Sequence, residues 1–393
     1  MGGRITGMYL VILGRQPALG LAELEAVFGS ERVFDAGGGL AFVEAEEFDV
    51  ERFGGVKKAG RVVLEVEGRE RKVVEKIIYD TVLAQVGTAE GKVTLGLSSY
   101  MRDFGARDLQ KIGLTVRKEV KRRGGSLRLI PNEEAELSTA TSHHSKLGLS
   151  PKKIEMMVAR VDGKIIVARS VGAQNISSYA ARDQKRPARD MYVGMLPPKL
   201  AKVIVNLACE GREGVRVLDP FCGTGVVLQE AVLMGYGVVG ADLSEKMIDY
   251  SRRNLEWLEE VKRRKFDWKL AVGDAMKVRW DSVDVVACET YLGQPFSAVP
   301  EHRKMVEVAG GCKHVISGFL KNLAKQTKPG TRVCVAVPMW KRNDGSFYRL
   351  NLLDSAEKLG YNAVEFKNVK RADLVYYREN QIVGRELLVL VRR

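Results

Sequence analysis

Apolar and polar positions follow two different patterns in the two halves of this chain. Up to about residue 172, short apolar strands alternate with amphipathic helices in a small α+β arrangement. Asp162-Gly163, between two apolar runs, is a strong hairpin signal. We predict strands over 8–12, 39–44, 62–66, 92–98, 125–130, 156–161 and 164–170, and helices over 17–28, 71–86 and 109–123.

The second half alternates strands and helices regularly, after a charged connector without periodicity over 173–195. Its strands are near-continuous apolar runs, which are typical of a parallel sheet covered by helices on both faces. We therefore predict an α/β, doubly wound, mostly parallel sheet that ends in an antiparallel hairpin over 374–378 and 386–391. The other predicted strands cover 215–218, 237–241, 268–272, 283–288, 332–337 and 363–367, and the helices begin at 198 or cover 225–234, 245–260, 300–326 and 348–358.

The charge of the chain points to a polyanionic partner. Its 393 residues hold 63 Lys and Arg against 49 Asp and Glu, a formal net charge of +14. Residues 101–200 carry 20 basic and 10 acidic side chains and residues 301–350 carry 10 and 3, whereas residues 201–250 carry 4 and 7. Each basic block alone is compatible with ordinary solvated helix faces. Two separated blocks favour RNA or DNA as the partner.

Cysteine spacing and hydropathy exclude several other classes of protein. The five cysteines never form a C-x-x-C pair, so neither a zinc site nor a disulfide framework is indicated. No apolar stretch approaches the ~18–20 residues that span a bilayer. We expect a cytoplasmic, monomeric protein with no metal and no membrane partner.

The candidate chemistry lies after the first strand of the second half, in Asp219-Pro-Phe-Cys-Gly-Thr-Gly225. Open α/β sheets bind ligands at such a strand end, where glycines let the backbone approach the ligand and a helix N-terminus presents free N–H groups. Two further acids, Asp242 and Asp274, follow the next two strands, and each of the three acids also suits a turn or helix cap. We predict cofactor contacts from Asp219, Pro220, Phe221, Gly223, Thr224, Gly225, Asp242, Asp274 and Ala275.

Two cofactors fit this arrangement, a dinucleotide and S-adenosylmethionine. A dinucleotide fingerprint requires a third glycine where this chain has Leu228. Asp219 would repel a pyrophosphate but would bind the ammonium of a methionyl group. We therefore favour S-adenosylmethionine, with Asp242 near the ribose diol and Asp274 near the adenine amine.

Five motifs extend the interpretation to a family. They are Gly14-Arg-Gln-Pro17 with Leu21-Ala-Glu-Leu24, Ser138-Thr-Ala-Thr-Ser-His-His144, Ala181-Arg-Asp-Gln-Lys-Arg-Pro187, Met195-Leu-Pro-Pro-Lys-Leu-Ala201 and the cofactor segment above. In these motifs the chain resembles the THUMP-domain RNA methyltransferases related to archaeal and eukaryotic tRNA guanosine-10 N2-methyltransferases. The resemblance covers most of the chain. It implies a ferredoxin-like domain over 1–90, a THUMP-like domain over 91–172 that grips the tRNA acceptor end, the connector 173–195, and a Rossmann-like class I methyltransferase domain over 196–393.

The acceptor loop departs from the family pattern. Family members that methylate an exocyclic amine carry Asp-Pro-Pro-Tyr or Asn-Pro-Pro-Tyr after the fourth strand, whereas this chain reads Cys288-Glu-Thr-Tyr-Leu-Gly-Gln-Pro295. We expect Glu289 to accept hydrogen bonds from the amine and Tyr291 to stack on the base. The alternatives are an RNA-binding protein without turnover and methylation of another amine, such as adenine N6 or a protein amide.

Cationic side chains in three segments, and one tryptophan, are candidates for RNA contacts. The first segment is the basic helix near residue 117, the second is the connector, and the third follows the fifth strand. The candidates are Arg117, Lys121, Arg122, Arg182, Lys185, Arg186, Arg189, Trp340 and Lys341.

Overall fold

The chain divides into two units, each built around its own β-sheet. The computed structural model describes residues 7–68, 70–87, 91–190, 196–280 and 283–393. The first unit comprises the chain up to Pro17 with Glu31–Arg52 and Val56–Ser178, and the second comprises Ala18–Ser30, Phe53–Gly55 and Tyr179–Arg393. The boundary after Ser178 lies inside the predicted connector. The end of that connector, 191–195, lies outside the described residues. This range includes Met195, the first residue of a family motif.

Eight strands form the sheet of the first unit. They are β1 (Met8–Leu13), β2 (Val33–Gly37), β3 (Leu40–Glu44), β4 (Val56–Glu67), β5 (Lys92–Ser99), β6 (Ser126–Leu129), β7 (Lys153–Val161) and β8 (Lys164–Ala173), in the spatial order β2-β3-β1-β4-β8-β7-β5-β6. Strand β5 runs parallel to β6 and β7, and the other neighbours are antiparallel. Segments predicted as two separate domains, 1–90 and 91–172, thus contribute to one sheet, and their division stays a prediction.

The predicted hairpin between β7 and β8 is confirmed. Asp162 and Gly163 both have positive φ, +49° and +78°. Two successive residues with positive φ form the type of turn that matches the twist of a two-residue hairpin.

Helix α1 (Pro17–Phe28) lies largely in the second unit although it is near the start of the chain. Glu23 of α1 is buried and accepts hydrogen bonds from the backbone N–H groups of Gly54 and Gly55, each over 2.8 Å, and from Nδ2 of Asn206 over 2.7 Å. Glu25 accepts from two backbone N–H groups near the other end of the sequence, at residues 367 and 368. These two glutamates tie α1 to the second unit.

Two long helices pack on the sheet of the first unit. In α2 (Arg71–Gly87) the buried positions are Val74, Ile78, Val82 and Val86, a spacing of four residues that forms one apolar stripe. In α3 (Ala106–Arg122) the buried stripe contains Leu109, Ile112 and Val116, and the basic residues lie on the opposite, exposed face. A short helix, α4 (Thr139–His144), was not predicted.

The sheet of the second unit confirms the predicted doubly wound fold. Its strands are β9 (Arg216–Asp219), β10 (Gly237–Asp242), β11 (Trp268–Val272), β12 (Val285–Glu289), β13 (Arg332–Lys341), β14 (Phe347–Tyr348), β15 (Tyr361–Ala363), β16 (Val375–Tyr376) and β17 (Val383–Arg392). The order is β11-β10-β9-β12-β13-β17-β15, with β14 beside β13 and β16 beside β17. The first five strands in this order are parallel, and β17 is antiparallel to β13, β15 and β16. The strand order reverses between β9 and β12, so the loop after β9 lies at the switch point where such sheets bind ligands.

The described part of the second half also contains six α-helices. They are α5 (Ile176–Gln184), α6 (Pro198–Cys209), α7 (Val226–Leu233), α8 (Glu245–Lys262), α9 (His302–Ala324) and α10 (Leu353–Lys358). The predicted helix over 348–358 is wrong in its first part, because β14 pairs with β13 there, and the strand expected over 363–367 is β15, a few residues earlier. Among the described residues, no helix has the length and apolar character needed to span a membrane.

Candidate active site

The loop between β9 and α7 is a tight glycine turn. Gly223 and Gly225 have φ of +50° and +78°, in the left-handed region that favours glycine. A Cβ atom at Gly225 would lie 2.9 Å from Oγ of Ser251, so packing against α8 excludes a side chain there. At Gly223 a Cβ would meet only a backbone oxygen at 3.9 Å, which leaves this side of the turn open to a ligand.

The three predicted cofactor acids occupy equivalent positions at successive strand ends. Oδ1 of Asp219, Asp242 and Asp274 accepts from the backbone N–H two residues ahead, over 3.1, 2.9 and 2.9 Å. Oδ2 of Asp242 also accepts from the N–H of Gly223 over 3.0 Å, which links the ends of β9 and β10. The acids therefore shape their own turns, and a carboxylate oxygen with two lone pairs can accept from a ligand as well.

Negative charge is concentrated around Asp219. This side chain is buried, and burial raises its pKa well above the ordinary value, with the neighbouring charges of Asp242 and Glu289 adding to the rise. Within the described ranges, neither Asp219 nor Asp242 forms an ion pair with a lysine or arginine. The same ranges contain no cluster of three or more His, Cys, Asp or Glu side chains suited to a metal ion. A cationic ligand would offset this charge.

The third strand end combines an acid with apolar surface. Asp274 lies 3.3 Å from Nζ of Lys277, and the adjacent Ala275 is buried with its carbonyl bonded to Asn322 of α9. Leu243 and Val272, which lie beside Asp242 and Asp274 in sequence, are 75% and 54% exposed. Exposed aliphatic side chains beside polar acceptors suit a flat heterocycle.

Helix α8 holds the glycine turn and the connector together. Oγ of Ser251 donates to the carbonyl of Gly223 over 2.8 Å. The fully buried Asn254 donates to the carbonyl of Thr224 over 2.8 Å, donates to that of Ala188 over 2.9 Å, and accepts from the N–H of Ala188 over 2.9 Å. Sequence reasoning missed both residues. The available signal was two small polar residues, three apart, within the apolar stripe of α8.

The strand predicted over 283–288 is β12, which includes Glu289 as its last residue, and a buried arginine holds this side chain. Nε of Arg385 on β17 donates to Oε1 of Glu289 over 2.7 Å. Burial raises the pKa of Glu289, and the guanidinium of Arg385 opposes that rise. Sequence reasoning missed Arg385, for which the signal was a single cation at the start of the apolar run of β17.

The acceptor loop, which lacks both prolines of the family pattern, is held at Thr290 by the neighbouring strand β13. Both the N–H and Oγ1 of Thr290 donate to the carbonyl of Ala336, over 3.0 and 3.3 Å. Gly293 has a φ of +81°, and a Cβ there would lie 2.5 Å from Val308 and 3.7 Å from the ring of Trp340. The ring of Tyr291, between these two contacts, is 51% exposed and free to stack on a base.

The RNA candidates fall into two groups. Six side chains are exposed or partly exposed: Arg117, Lys121, Arg122, Lys185, Arg189 and Lys341. Arg122 is paired with Glu119 over 2.7 Å, Nη1 of Arg189 donates to the carbonyl of Gln184, and Nζ of Lys341 donates to the carbonyl of Glu379.

The other three candidates are buried, which conflicts with a direct RNA contact. Arg182 pairs with the buried Glu230 of α7 and lies over the ring of Tyr179 at 4.5 Å. Arg186 is 3% exposed. Trp340 is fully buried because β13 continues through it, so the ring packs in the core near Tyr348 and supports Gly293.

Comparisons with known proteins agree with this geometry. A family model described as UPF0020, RMKL-like, methyltransferase domain, matches residues 186–338. A tRNA (guanine(10)-N2)-dimethyltransferase of Methanothermobacter thermautotrophicus is 35% identical over 159 residues, which are 40% of this chain and 42% of that protein. The protein of the same name from Methanocaldococcus jannaschii is 27% identical over 198 residues, 49% of this chain and 52% of that protein. The matches thus span about half the length of these curated relatives, or less.

A solved structure extends the likeness in fold to nearly the whole chain. The crystal structure of TrmN from Thermus thermophilus aligns with a TM-score of 0.51 at 16% identity, covering 98% of this chain and all of that one. At this identity the likeness concerns the fold alone. Residues 186–338 thus match a methyltransferase domain, within a second unit that has the Rossmann-like α/β fold of class I methyltransferases.

Proposed function

We propose that this protein transfers a methyl group from S-adenosylmethionine to the N2 amine of a guanosine in tRNA. The observation that carries the proposal is the placement of Asp219 and Asp242 around an open glycine turn, one strand away from the carboxylate of Glu289. Neither acid has a lysine or arginine partner among the described residues. The names of the curated relatives support tRNA guanine N2 as the acceptor. Cytoplasmic localisation and a monomeric state stay predictions.

The charge around the glycine turn suits the methyl donor. S-adenosylmethionine carries an ammonium and a sulfonium, and Asp219 would accept from the ammonium through its carboxylate. Asp242 would accept from the ribose hydroxyls, and Asp274 from the adenine amine beside Leu243 and Val272. The backbone of Gly223 and Gly225 would lie against the methionyl part.

The acceptor loop suits a neutral amine. The amine lone pair would form a bond to the methyl carbon while the carbon–sulfur bond breaks and its electron pair stays on sulfur, which becomes a neutral thioether. Glu289 would accept an N–H hydrogen bond and then the proton that the methylated amine loses. Tyr291 would stack on the base and hold the nitrogen in line with the methyl group.

The cysteines support direct transfer rather than transfer through a covalent enzyme–base adduct. All five are buried and free of disulfides. Burial raises the pKa values of Cys222, Cys288, Cys312 and Cys334, which keeps these thiols protonated. A thiol nucleophile must be a thiolate and reachable by the base.

The RNA would contact the exposed basic residues, with α3 of the first unit as the main surface. Arg117, Lys121 and Lys185 are exposed, and phosphate contacts of this kind weaken steeply with salt. Arg182 and Arg186 would instead shape the connector from within.

The test is transfer of labelled methyl from S-adenosylmethionine to total small RNA, followed by nucleoside analysis. We expect label in N2-methylguanosine from the tRNA fraction. Unlabelled RNA despite measurable cofactor binding would contradict the enzymatic role and favour an RNA-binding protein. Label in another nucleoside would contradict the guanine N2 assignment alone.

A further inference from the structure

Arg385 contacts the carboxylate that the proposed function places beside the reacting amine. Its side chain is 6% exposed, and Nε donates to Oε1 of Glu289 over 2.7 Å. The side chain of Glu289 is 16% exposed. The contact therefore fixes one oxygen of the acid.

The register of the sheet explains how the side chain of Arg385, two strands away, reaches Glu289. Glu289 pairs in register with Ala336 of β13, and Arg385 pairs with Pro338, two residues further along the same strand. Residues directly opposite each other point to the same face of a sheet. Because Ala336 and Pro338 are small, the guanidinium can extend across β13 to the carboxylate.

The contact between Arg385 and Glu289 also constrains the acceptor loop. The loop lacks the two prolines of the family pattern that its sequence resembles. It is held instead at Thr290 by the carbonyl of Ala336, and at Gly293 the space next to Val308 excludes a side chain. Neither contact constrains the carboxylate of Glu289. Arg385 supplies that third constraint.

We propose that Arg385 is a positioning residue of the methyl-transfer site: it holds Oε1 of Glu289 so that Oε2 faces the amine of the base. This inference rests on the proposed function. The charged and titratable groups that face Glu289 are Arg385 from β17, Asp219 from β9 and the thiol of Cys288 on its own strand. Arg385 is the cation among them, and it favours the ionised form of Glu289 against the effect of burial.

The central experiment compares R385Q with a matched control, R349Q. Arg349 pairs with Glu386, the residue next to Arg385 on β17, over 3.3 Å, so the control removes a neighbouring ion pair away from Glu289. We expect R385Q to lower kcat by about 100-fold, since misplacing a reacting group by about 1 Å can cost that much. Its cofactor Kd should stay within about twofold, and the acidic limb of its kcat–pH profile should move to higher pH because Glu289 loses its cation.

The control R349Q should change kcat by no more than about twofold and leave the pH profile in place. Wild-type kcat and an unmoved acidic limb in R385Q would overturn the inference. Equal losses in R385Q and R349Q would overturn it too, because they would indicate a general effect on β17.

A double-variant cycle separates action through Glu289 from an independent role. In the E289Q background, adding R385Q should lower kcat by no more than about twofold. A loss as large as that in the wild-type background would overturn the positioning role.

If R385Q fails to bind cofactor, the variant R385K is measured in its place. The lysine keeps the charge but loses the planar donor fork, so kcat should fall about tenfold while the acidic limb stays in place. Wild-type kcat in R385K would overturn the inference. Wild-type protein that transfers no methyl to RNA would instead contradict the proposed function, whatever Arg385 does.

Discussion

Two neighbouring strand ends of the second unit hold acids in opposite electrostatic settings. At the end of β9, Asp219 lies near the further negative charges of Asp242 and Glu289, and it has no cationic partner among the described residues. At the end of β12, Glu289 is paired with the guanidinium of Arg385.

These two settings suit the two substrates of the proposed methyl transfer, which differ in charge. An acid without a partner is costly to bury until a cation arrives, so the end of β9 is suited to a cationic donor. An acid that is already paired with a guanidinium needs no cationic ligand, so the end of β12 is suited to a neutral amine that needs an acceptor. The comparison predicts that the two acids affect different steps.

The largest expected effect is that of E289Q on turnover. The amide keeps the size of the side chain but loses the negative charge, so kcat should fall by about 100-fold or more. The cofactor Kd should stay within about twofold. Single-turnover methyl transfer and equilibrium binding measure the two quantities, and unchanged turnover would remove Glu289 from the reaction.

The next effect is that of D219N on cofactor affinity. Asparagine keeps the turn through its carbonyl oxygen but loses the charge-assisted bond to the ammonium, which is worth about 10- to 100-fold in Kd. Titration calorimetry with S-adenosylmethionine measures this loss. The matched ligand is methylthioadenosine, which lacks the methionyl ammonium and should bind both proteins equally. An equal loss for both ligands would contradict the charge assignment.

A smaller effect should follow from N254A. This change leaves the carbonyl of Thr224 and both backbone groups of Ala188 without their partner, which loosens the glycine turn. We expect cofactor Kd to rise about tenfold, because unsatisfied buried groups cost about 1–3 kcal/mol each.

The matched control for N254A is N206A, at a fully buried asparagine that bonds to Glu23 instead. Both variants should lower the midpoint of thermal unfolding. N206A should leave the cofactor Kd within about twofold, and equal effects on Kd would show that Asn254 acts only through overall stability.

A third acid, the buried Glu23, extends the comparison. Its hydrogen-bond donors among the described residues are amide N–H groups, which carry no net charge. Burial raises its pKa to about 7, against the opposing effect of those hydrogen bonds. The folded state therefore binds more protons than the unfolded state between about pH 4.5 and 7, so this group lowers the free energy of unfolding as pH rises through that range.

The measurement for Glu23 is urea unfolding of wild type and E23Q from pH 5 to 8. The free energy of unfolding of the wild type should fall by on the order of 2–3 kcal/mol relative to that of E23Q as the pH rises across this range. Cofactor Kd should not change. Parallel stability curves for the two proteins would contradict the raised pKa of Glu23.

The sequence predicted the parts of the site that depend on local order. Asp219, Gly223 and Gly225 follow one strand and precede one helix, so their positions come from a single strand–turn–helix unit. The acids Asp242 and Asp274 follow from the same alternation, because the carboxyl ends of parallel strands share one edge of the sheet.

The missed contacts join distant parts of the sequence. Glu289 and Arg385 are 96 residues apart and meet only because β17 inserts beside β13. Glu25 of α1 bonds to Lys367, 342 residues away, so no local pattern indicated that α1 lies with the second unit. The charge pattern led to the wrong expectation that Trp340 and Arg182 are exposed. A charged stretch of sequence does not show that each of its side chains lies on the surface.

The most direct test of the central claim uses two tRNA transcripts that differ at the methylated guanosine. In the second transcript inosine replaces this guanosine, which removes only the 2-amino group. With labelled S-adenosylmethionine, we predict methyl incorporation into the guanosine transcript and none into the inosine transcript. Equal incorporation into both would contradict transfer to the exocyclic amine.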